Sequence, residues 1–404
     1  MRLLLSSDRV PPHHRGGAEV AAWRLAVGLS RIGHDVHVAT ATPGPAREEH
    51  RDGLTVHYLH SRYPERFAPW LTLCQPQTLG PFRRLCSRLR PDVVHAHNVH
   101  HDLSYASLVV ASRLGLAVVF TSHDLMPVVG GHVEARRFGY RTGPDGAVRL
   151  PWTYELGRAR LRYNPWRRTL VRLVLRRVAR VRTCVSDAHR RMLAENGYPD
   201  FEVVHNAADP AYLDIAPPSG PRARRTLLFG GRLTEAKGAV SLGRIIDELA
   251  TRRDDVDLMV LSRSPDDLAR LGLASGVARR VGHGGWLTGA GLVRAYHEAD
   301  IVLVPSETFE CGGSLMAIDA MAAARPVVAS PYGGTPEYVV DGETGYLLRP
   351  EDPGPMADAI SRLLDDDSAR LRIGAAGRAR VAEHFSLDRQ VRRFLDIYSR
   401  VTAS

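Results

Sequence analysis

Two cations, Arg232 and Lys237, are the residues whose types most directly indicate chemistry. Lys237 is the only lysine in the chain, and the other 53 of its 54 Lys and Arg residues are arginines. An ammonium on a flexible stem suits a phosphate whose charge changes during a reaction, whereas the planar fork of arginine suits fixed bidentate contacts. The pair therefore indicates a phosphate site, although a surface loop with two ordinary cations fits the local pattern equally well.

A strand-to-helix corner would position both cations. The apolar run 226–229 predicts a strand, Gly230 and Gly231 end it, and a helical pattern covers about 238–249. Ligands of open α/β sheets bind beyond the carboxyl ends of the strands, which is where this corner would lie.

The N-terminal segment predicts a βαβ unit. A strand at 3–6 and a loop precede a helix that opens at Gly16 and Gly17 and runs to about Ile32, and a strand follows at 35–39. The turn lacks the GxGxxG dinucleotide fingerprint. Its free backbone N–H groups at a helix N-terminus would still attract phosphate.

The alternation of strands and helices continues on both sides of a Pro/Gly-rich linker at 217–221. Two such halves predict two Rossmann-like domains with a cleft between them. We expect an N-terminal, acceptor-binding domain at 1–213, a nucleotide-sugar-binding domain at 222–384, and a helix at 385–404 that returns to the N-terminal domain. Further strands are predicted at 92–97, 117–121, 181–185, 256–261, 301–304 and 326–329, and further helices at 104–114 and 166–180.

The composition is that of an ordinary globular enzyme, with 44% hydrophobic and 24% charged residues. The net charge of +10 favours a polyanionic partner or an acidic membrane surface. An arginine-rich proteome, as in a bacterium of high GC content, would give the same charge without such a partner. The four cysteines show no metal spacing, and no apolar run reaches 18 residues, so we expect a cytoplasmic protein.

A series of motifs makes the C-terminal half recognisable. They are Asp300–Ser306, Glu307–Ser314, Asp319–Ser330, Gly333–Glu337 and Asp341–Gly345. Together with Gly16–Glu19, the strand ending at His123, Asn206–Asp209 and Gly231–Gly238, they resemble the retaining, nucleotide-sugar-dependent glycosyltransferases of family 4. That family has the GT-B fold, so the resemblance implies an α/β architecture of two Rossmann-like domains with an interdomain cleft. It covers nearly the whole chain.

The resemblance implies that Arg232 and Lys237 bind the diphosphate of an activated sugar. Negative charge grows on this group as it departs, so preplaced cations stabilise the transition state more than the ground state. No Asp-x-Asp pair is placed for a divalent metal, so we expect a metal-independent enzyme without a cofactor, using a UDP-sugar as donor. The other expected donor-binding residues are Gly16, Gly17, Gly231, Glu307, Cys311, Gly312, Gly313, Ser314 and Asp319.

His123 matches the family histidine beside the donor sugar, where it could bind a hydroxyl and help stabilise positive character at C1. His97, Asn98 and Asp124 follow neighbouring strand ends and are expected to line the acceptor site. Strand alternation would point His95 and His97 to one face. No acid or cysteine completes a metal site there, so a metal interpretation is disfavoured.

The acidic pair departs from the family pattern of Glu, seven residues, then Glu. Asp319 stands at the second position, but the residue eight before it is Cys311. A one-residue insertion would restore Glu310, which we favour as the catalytic-site acid; Glu307 is the competing candidate. If Cys311 itself occupied the position, sugar recognition would be weaker, so the donor sugar stays open.

The leading expectation is a retaining glycosyltransferase that acts on an acceptor hydroxyl of a small molecule, a lipid-linked sugar or a cell-surface glycan. A nucleotide-sugar epimerase or a phosphorylase could share the fold, and a basic protein of nucleic acids or membranes is a further alternative. The helix at 166–180 bears on membrane contact, because its arginines could dock on anionic lipid. We favour a solvated face for this stripe, which comprises Arg168, Arg172, Arg176 and Arg180, opposite Leu170, Val174, Val178 and Val181.

Overall fold

The computed structural model describes residues 1–12, 16–62, 64–129, 150, 153, 156–157, 163–215 and 224–403. The chain divides into two compact units. The described residues of 1–206 and 387–403 form unit 1, and those of 207–386 form unit 2. The predicted linker at 217–221 lies outside the described residues.

Unit 1 contains an eight-stranded sheet in the order β3-β4-β2-β1-β5-β6-β7-β8. All its pairings are parallel except that of β3 with β4. The first strand, β1, therefore lies inside the sheet. Strands β2 to β4 are added on one side of it and β5 to β8 on the other, so the strand order reverses between β1 and β5. The strands are β1 (Arg2–Ser6), β2 (Asp35–Thr42), β3 (Arg47–Arg51), β4 (Leu54–His60), β5 (Val93–Ala96), β6 (Ala117–Ser122), β7 (Val181–Cys184) and β8 (Glu202–Val203).

Helices connect these strands, and the C-terminal helix Leu387–Ala403 belongs to the same unit. Gly28 lets this helix approach, because a Cβ at that position would lie 2.8 Å from Cγ2 of Val391. The other described helices of unit 1 are Gly17–Arg31, Ala68–Leu71, Pro76–Leu89, Ala106–Arg113, Arg167–Val178 and Asp187–Glu195.

Unit 2 contains a six-stranded parallel sheet in the order β11-β10-β9-β12-β13-β14. Its first strand, β9, again lies inside the sheet, and the order reverses between β9 and β12. This is the strand order of the Rossmann fold. The strands are β9 (Arg225–Gly230), β10 (Val256–Leu261), β11 (Val281–His283), β12 (Ile301–Val304), β13 (Val327–Ala329) and β14 (Gly345–Leu347).

Apolar helix faces cover both sides of this sheet. Leu227 and Leu258 pack with the helix Ala239–Ala250 in one core cluster, and Leu228 and Val302 belong to another. Such burial on both faces explains why the central strands read as continuous apolar runs. The other described helices are Pro210–Leu213, Ala290–Glu298, Leu315–Ala322, Thr335–Tyr338, Pro353–Asp365 and Asp367–His384.

One predicted helix face was wrong. The helix Arg167–Val178 buries Arg167, Val171 and Leu175, whereas Leu170 is exposed. The fully buried Arg167 side chain is accommodated because its guanidinium donates to the carbonyl oxygen of Met126 at 2.6 Å. The prediction placed Leu170 and Val174 on the buried side of the helix. The structure instead buries the side that carries Arg167, Val171 and Leu175.

The predicted solvated arginine stripe is also only partly correct. Arg168 donates to the backbone oxygens of Leu150 and Asn196, at 3.1 and 2.7 Å, and Arg180 donates to that of Val401. These two cations therefore tie elements of unit 1 together, while Arg176 is exposed.

Candidate functional site

In unit 2, the loops after β9 and β12 begin side by side at the point where the strand order reverses. The first of these loops carries Arg232 and Lys237, and the second carries Glu307 and Glu310. The carboxyl ends of neighbouring parallel strands at such a switch point form the usual ligand-binding crevice of doubly wound sheets. The expected strand-to-helix corner is confirmed.

Gly238 brings the two loops into contact. Its φ is +73°, and a Cβ there would lie only 1.8 Å from the carbonyl oxygen of Pro305. The backbone of Glu307 also donates to the carbonyl oxygen of Ala236 at 3.0 Å. A larger residue at 238 would separate the loops, so this glycine is needed for close approach.

The ammonium of Lys237 forms an ion pair with Oε1 of Glu310. The same oxygen accepts a hydrogen bond from Oγ of Ser306 at 2.7 Å. The lysine side chain is 34% exposed, so the paired cation is still accessible to a ligand. Because an ammonium has three donors, it can bind a phosphate oxygen while it contacts Glu310.

Arg232 has an exposed side chain, and its guanidinium has no hydrogen-bond or ion-pair partner among the residues that the structure describes. It follows Gly231, whose φ is +141°. A cation at a strand end without an internal partner keeps all its donors for a ligand.

Glu307 has a different environment from Glu310. It is buried, and its Oε1 accepts a hydrogen bond from Oγ of Ser241 at 2.5 Å. Ser241 lies on the helix after Lys237, so Glu307 fastens the loop to that helix. Of the two acids, Glu310 is therefore the one that contacts the cation.

The peptide around Glu310 is held by two glycine-rich turns. Its carbonyl oxygen accepts from the backbone N–H groups of Gly313 and Gly334, at 3.0 and 2.7 Å. Gly333 has a φ of +64°, and a Cβ there would lie 2.2 Å from the same oxygen. Cys311, the next residue, is buried. The turns thus fix the direction of the loop at Glu310.

The next helix, Leu315–Ala322, starts after Ser314. Gly312 and Gly313 lie just before its N-terminus. Asp319 is buried on this helix, and its Oδ1 accepts from the backbone N–H of Asp209 at 3.3 Å. This carboxylate therefore has a structural contact within unit 2.

In unit 1, two predicted site histidines are in contact. His97 follows β5, His123 follows β6, and Nδ1 of His97 lies 2.9 Å from Nε2 of His123. Burial lowers the pKa of His123 to about 4 and that of His97 well below its ordinary value. Both rings are therefore neutral near pH 7, so one must donate to the other.

His95 extends this pair into the core. Its ring centroid lies 4.1 Å from that of His97, which confirms that the two side chains share a face. Nδ1 of His95 lies 2.7 Å from the hydroxyl of Tyr398, and Nε2 lies 2.7 Å from Oγ1 of Thr121. Both ring nitrogens of His95 thus have hydrogen-bond partners, and its ring packs against that of His97.

Asp8 is a site residue that sequence reasoning missed. It follows β1, is buried, and its two carboxylate oxygens accept from the backbone N–H groups of Leu103 and His101, each at 2.7 Å. Burial raises the pKa of Asp8 to about 7, and the nearby Asp102 adds to this effect. The signal was its place directly after the first strand, Arg2–Ser6.

Asp124 and Asn98 lie at the same end of the sheet. Oδ1 of Asp124 lies 3.4 Å from Nε2 of His100. Burial, with a contribution from Glu19, raises the pKa of Asp124 to about 7. The carbonyl oxygen of Asn98 accepts from the backbone N–H of Asp8 at 2.6 Å. The predicted acceptor residues thus meet around strand ends β1, β5 and β6.

Gly16 and Gly17 are exposed at the start of the helix Gly17–Arg31, as expected. A Cβ at Gly16 would lie 2.3 Å from Oε2 of Glu19. A carboxylate thus lies next to the helix N-terminus, where the helix dipole favours negative charge.

Among the residues that the structure describes, no three His, Cys, Asp or Glu side chains are grouped so as to hold a metal ion. No helix in the described ranges is both long and apolar enough to span a bilayer.

Two doubly wound α/β units, each with polar side chains at its switch point, define the class as a GT-B type protein. The sequence model described as "Glycosyltransferase Family 4" matches residues 15–212, and the one described as "Glycosyl transferases group 1" matches residues 224–366. The chain is therefore a glycosyltransferase of the family 4 type with the GT-B fold.

Individual relatives agree with this assignment. The chain is 27% identical to a D-inositol 3-phosphate glycosyltransferase of Arthrobacter sp. (strain FB24), over 95% of this chain and 90% of the relative. The structure resembles the sucrose-phosphate synthase tll1590 from Thermosynechococcus elongatus, with a TM-score of 0.75, 20% identity and full coverage of both chains. It also resembles Anabaena Alr3699/HepE in complex with UDP-glucose, with a TM-score of 0.68, 17% identity, and coverage of 99% of this chain and 100% of the other.

Proposed function

We propose that this glycosyltransferase moves a sugar from a UDP-sugar to an acceptor hydroxyl with retention of the anomeric configuration. The observation that carries the proposal is the position of Lys237, the only lysine, at the switch point of unit 2 and in contact with Glu310. A cation fixed at that point is suited to a diphosphate leaving group.

Charge development explains why such a cation would accelerate the reaction. As the bond between sugar and phosphate breaks, negative charge accumulates on the departing diphosphate. Arg232 and Lys237 would stabilise this charge more strongly in the transition state than in the ground state. These two cations would take the place of a divalent metal, so transfer should proceed in the presence of a chelator.

The choice of UDP rests on a structural neighbour. Anabaena Alr3699/HepE has been crystallised with UDP-glucose, and we transfer this donor class to the present chain. Asp319 would contact the ribose, and the glycines around Ser314 would approach the phosphates.

Glu310 and His123 would form hydrogen bonds with the sugar. Glu310 is oriented by Ser306 and paired with Lys237, so it would accept a hydrogen bond from a sugar hydroxyl close to the diphosphate. Neutral His123 would donate or accept a hydrogen bond at the sugar and support positive character at C1.

Retention follows from the family resemblance. The resemblance implies that the acceptor attacks on the face from which the diphosphate leaves, and that the leaving phosphate takes the acceptor proton. His97, Asn98 and Asp124 would bind the acceptor, a hydroxyl of a small molecule, a lipid-linked sugar or a cell-surface glycan.

Incubation of the protein with UDP-glucose and a panel of hydroxyl acceptors tests the proposal. We expect UDP release that depends on the acceptor, continues in EDTA, and gives a product whose anomeric proton shows the configuration of the donor. Conversion of the UDP-sugar without any acceptor would instead indicate an epimerase, and an inverted product would contradict retention. Repeating the panel with other nucleoside diphosphate sugars identifies the donor.

A further inference from the structure

An exposed apolar face lies on unit 1. It comprises side chains that are 40–66% exposed although they are large and apolar. They are Phe67 (47%), Trp70 (51%), Trp166 (66%), Leu170 (40%) and Leu173 (41%). Positions 166, 170 and 173 follow the spacing of one helical side. We call these five residues the aromatic face.

Asn164 joins the two segments that carry this face. Its Nδ2 donates to the carbonyl oxygen of Pro69 at 3.1 Å, and its Oδ1 accepts from the backbone N–H of Trp166 at 3.0 Å. Pro69 is adjacent to Trp70, so one buried amide holds the short helix Ala68–Leu71 against the start of the helix Arg167–Val178. The two segments that carry the exposed side chains are therefore neighbours in unit 1.

Arginines border this face. The guanidinium of Arg66 lies 4.9 Å from the ring centroid of Phe67, and Arg176 and Arg177 are exposed on the long helix. The sequence from Tyr163 to Ser186 contains no Asp or Glu. It contains seven arginines, at 167, 168, 172, 176, 177, 180 and 182.

The combination of exposed apolar side chains and neighbouring arginines favours one kind of partner for this face over others. A two-fold dimer through this face would bring the bordering arginines of both copies into one interface, which is repulsive. A bilayer with anionic headgroups matches both features, because tryptophan and leucine enter the interface while arginines contact the headgroups. Tryptophan also suits this boundary, since its ring is apolar and its N–H is polar.

We propose that the aromatic face docks unit 1 on the surface of an anionic lipid bilayer, with Trp166 and Leu170 inserted at the interface and Arg176 and Arg177 at the headgroups. The contact is peripheral, and it adds a location to the enzyme that its transfer chemistry does not require.

Vesicle flotation of the full chain tests this. The probes are vesicles of equal parts phosphatidylglycerol and phosphatidylcholine, compared with vesicles of phosphatidylcholine alone. We expect the protein to float with the anionic vesicles, to remain at the bottom with the neutral ones, and to detach in 1 M salt, where the Debye length is about 3 Å.

Two variants separate the apolar from the electrostatic contribution. W166S/L170S removes the inserted side chains. R176Q/R177Q removes two charges and should weaken partition by about 30-fold, because each arginine near an anionic surface contributes roughly a fivefold step. Two controls come from unit 1: I32S removes an exposed apolar residue elsewhere, and R389Q/R392Q removes two exposed arginines of the terminal helix. We expect both controls to float like the wild type.

The proposal fails if the wild type does not float with anionic vesicles, or if both test variants float as it does. It also fails if a lipid-free dimer dissociates in W166S/L170S, because a second copy would then cover the face. Unfolding temperature and UDP release measured without vesicles verify that the test variants are folded, since neither variant alters a proposed site residue.

Discussion

The ammonium of Lys237 and the carboxylate of Glu310 form an ion pair that joins the loops after β9 and β12. These residues are 73 positions apart, and the parallel pairing of their strands brings them together. The ion pair places the only lysine of the chain at the switch point of unit 2, and it orients an acid beside it.

Lys237→Ala should lower turnover by about 10²–10³-fold, the usual effect of removing one donor that stabilises transition-state charge. Lys237→Arg should recover only part of the loss, because a planar fork cannot reproduce the point charge. Steady-state kcat for UDP release measures both. Arg244→Ala is the matched control, since Arg244 is an exposed cation on the next helix; an equal loss in that variant would refute the specific role of Lys237.

Glu310→Gln should lower kcat/KM for the donor by about 10- to 100-fold, because a hydrogen bond to a charged group contributes ~1.5–3 kcal/mol. Glu307→Gln should change the kinetics much less and should mainly lower the unfolding temperature, since Glu307 holds Ser241. Donor kinetics and thermal unfolding of the two variants distinguish the two acids. The reverse pattern would assign sugar recognition to Glu307.

His123→Ala should lower kcat, and His97→Phe should also lower it, by up to about 10²-fold, because His97 positions the His123 ring. His97→Asn should recover activity in part, since an amide can occupy the position of Nδ1. Equal activity of the Phe and Asn variants would show that the hydrogen bond between the rings is unimportant. Because burial lowers the pKa of His123 to about 4, its ionisation should leave the rate unchanged between pH 6 and 8.

The stability of unit 1 should depend on pH through Asp8. Its folded-state pKa of about 7 lies above the ordinary aspartate pKa of 3.8, so the folded state retains a proton that the unfolded state loses. The associated stability is complete below about pH 4 and is lost as pH rises through 7, by ~4 kcal/mol for about three pKa units. Urea unfolding of the wild type and of Asp8→Asn should therefore diverge over this interval. Parallel pH profiles would contradict the raised pKa.

Much of the fold was predictable because buried parallel strands are apolar runs. The strands at Val256–Leu261 and Ile301–Val304 have the predicted bounds, and the corner after β9 is where the glycines indicated. The hairpin of β3 and β4 was not predicted. β3 consists of polar residues at the sheet edge, so its sequence lacks the apolar residues by which a strand is predicted.

The site was predictable only in its local parts. His95 and His97 share a face because strand side chains alternate. The contact between His95 and Tyr398 joins residues 303 positions apart. A returning C-terminal helix was predicted, but no local pattern indicates which of its side chains would contact His95. Asp8 was missed for a related reason, since its raised pKa comes from burial. The predicted buried side of the helix Arg167–Val178 was wrong, because the residues buried on it include Arg167, a charged residue that an apolar pattern does not mark.

Amine acylation tests directly whether Lys237 binds the diphosphate of the donor. With one lysine in the chain, an N-hydroxysuccinimide acetate reagent has a single ε-amine to modify, and the α-amine of Met1 provides an internal reference. Peptide mass spectrometry would follow both sites with UDP-glucose, with UDP, and with uridine plus glucose. At a donor concentration of about ten times Kd, we expect acylation of Lys237 to slow by about tenfold, and Met1 to be unaffected. Uridine plus glucose should give no protection. If Lys237 is acylated at the same rate with and without UDP-glucose, the account is contradicted.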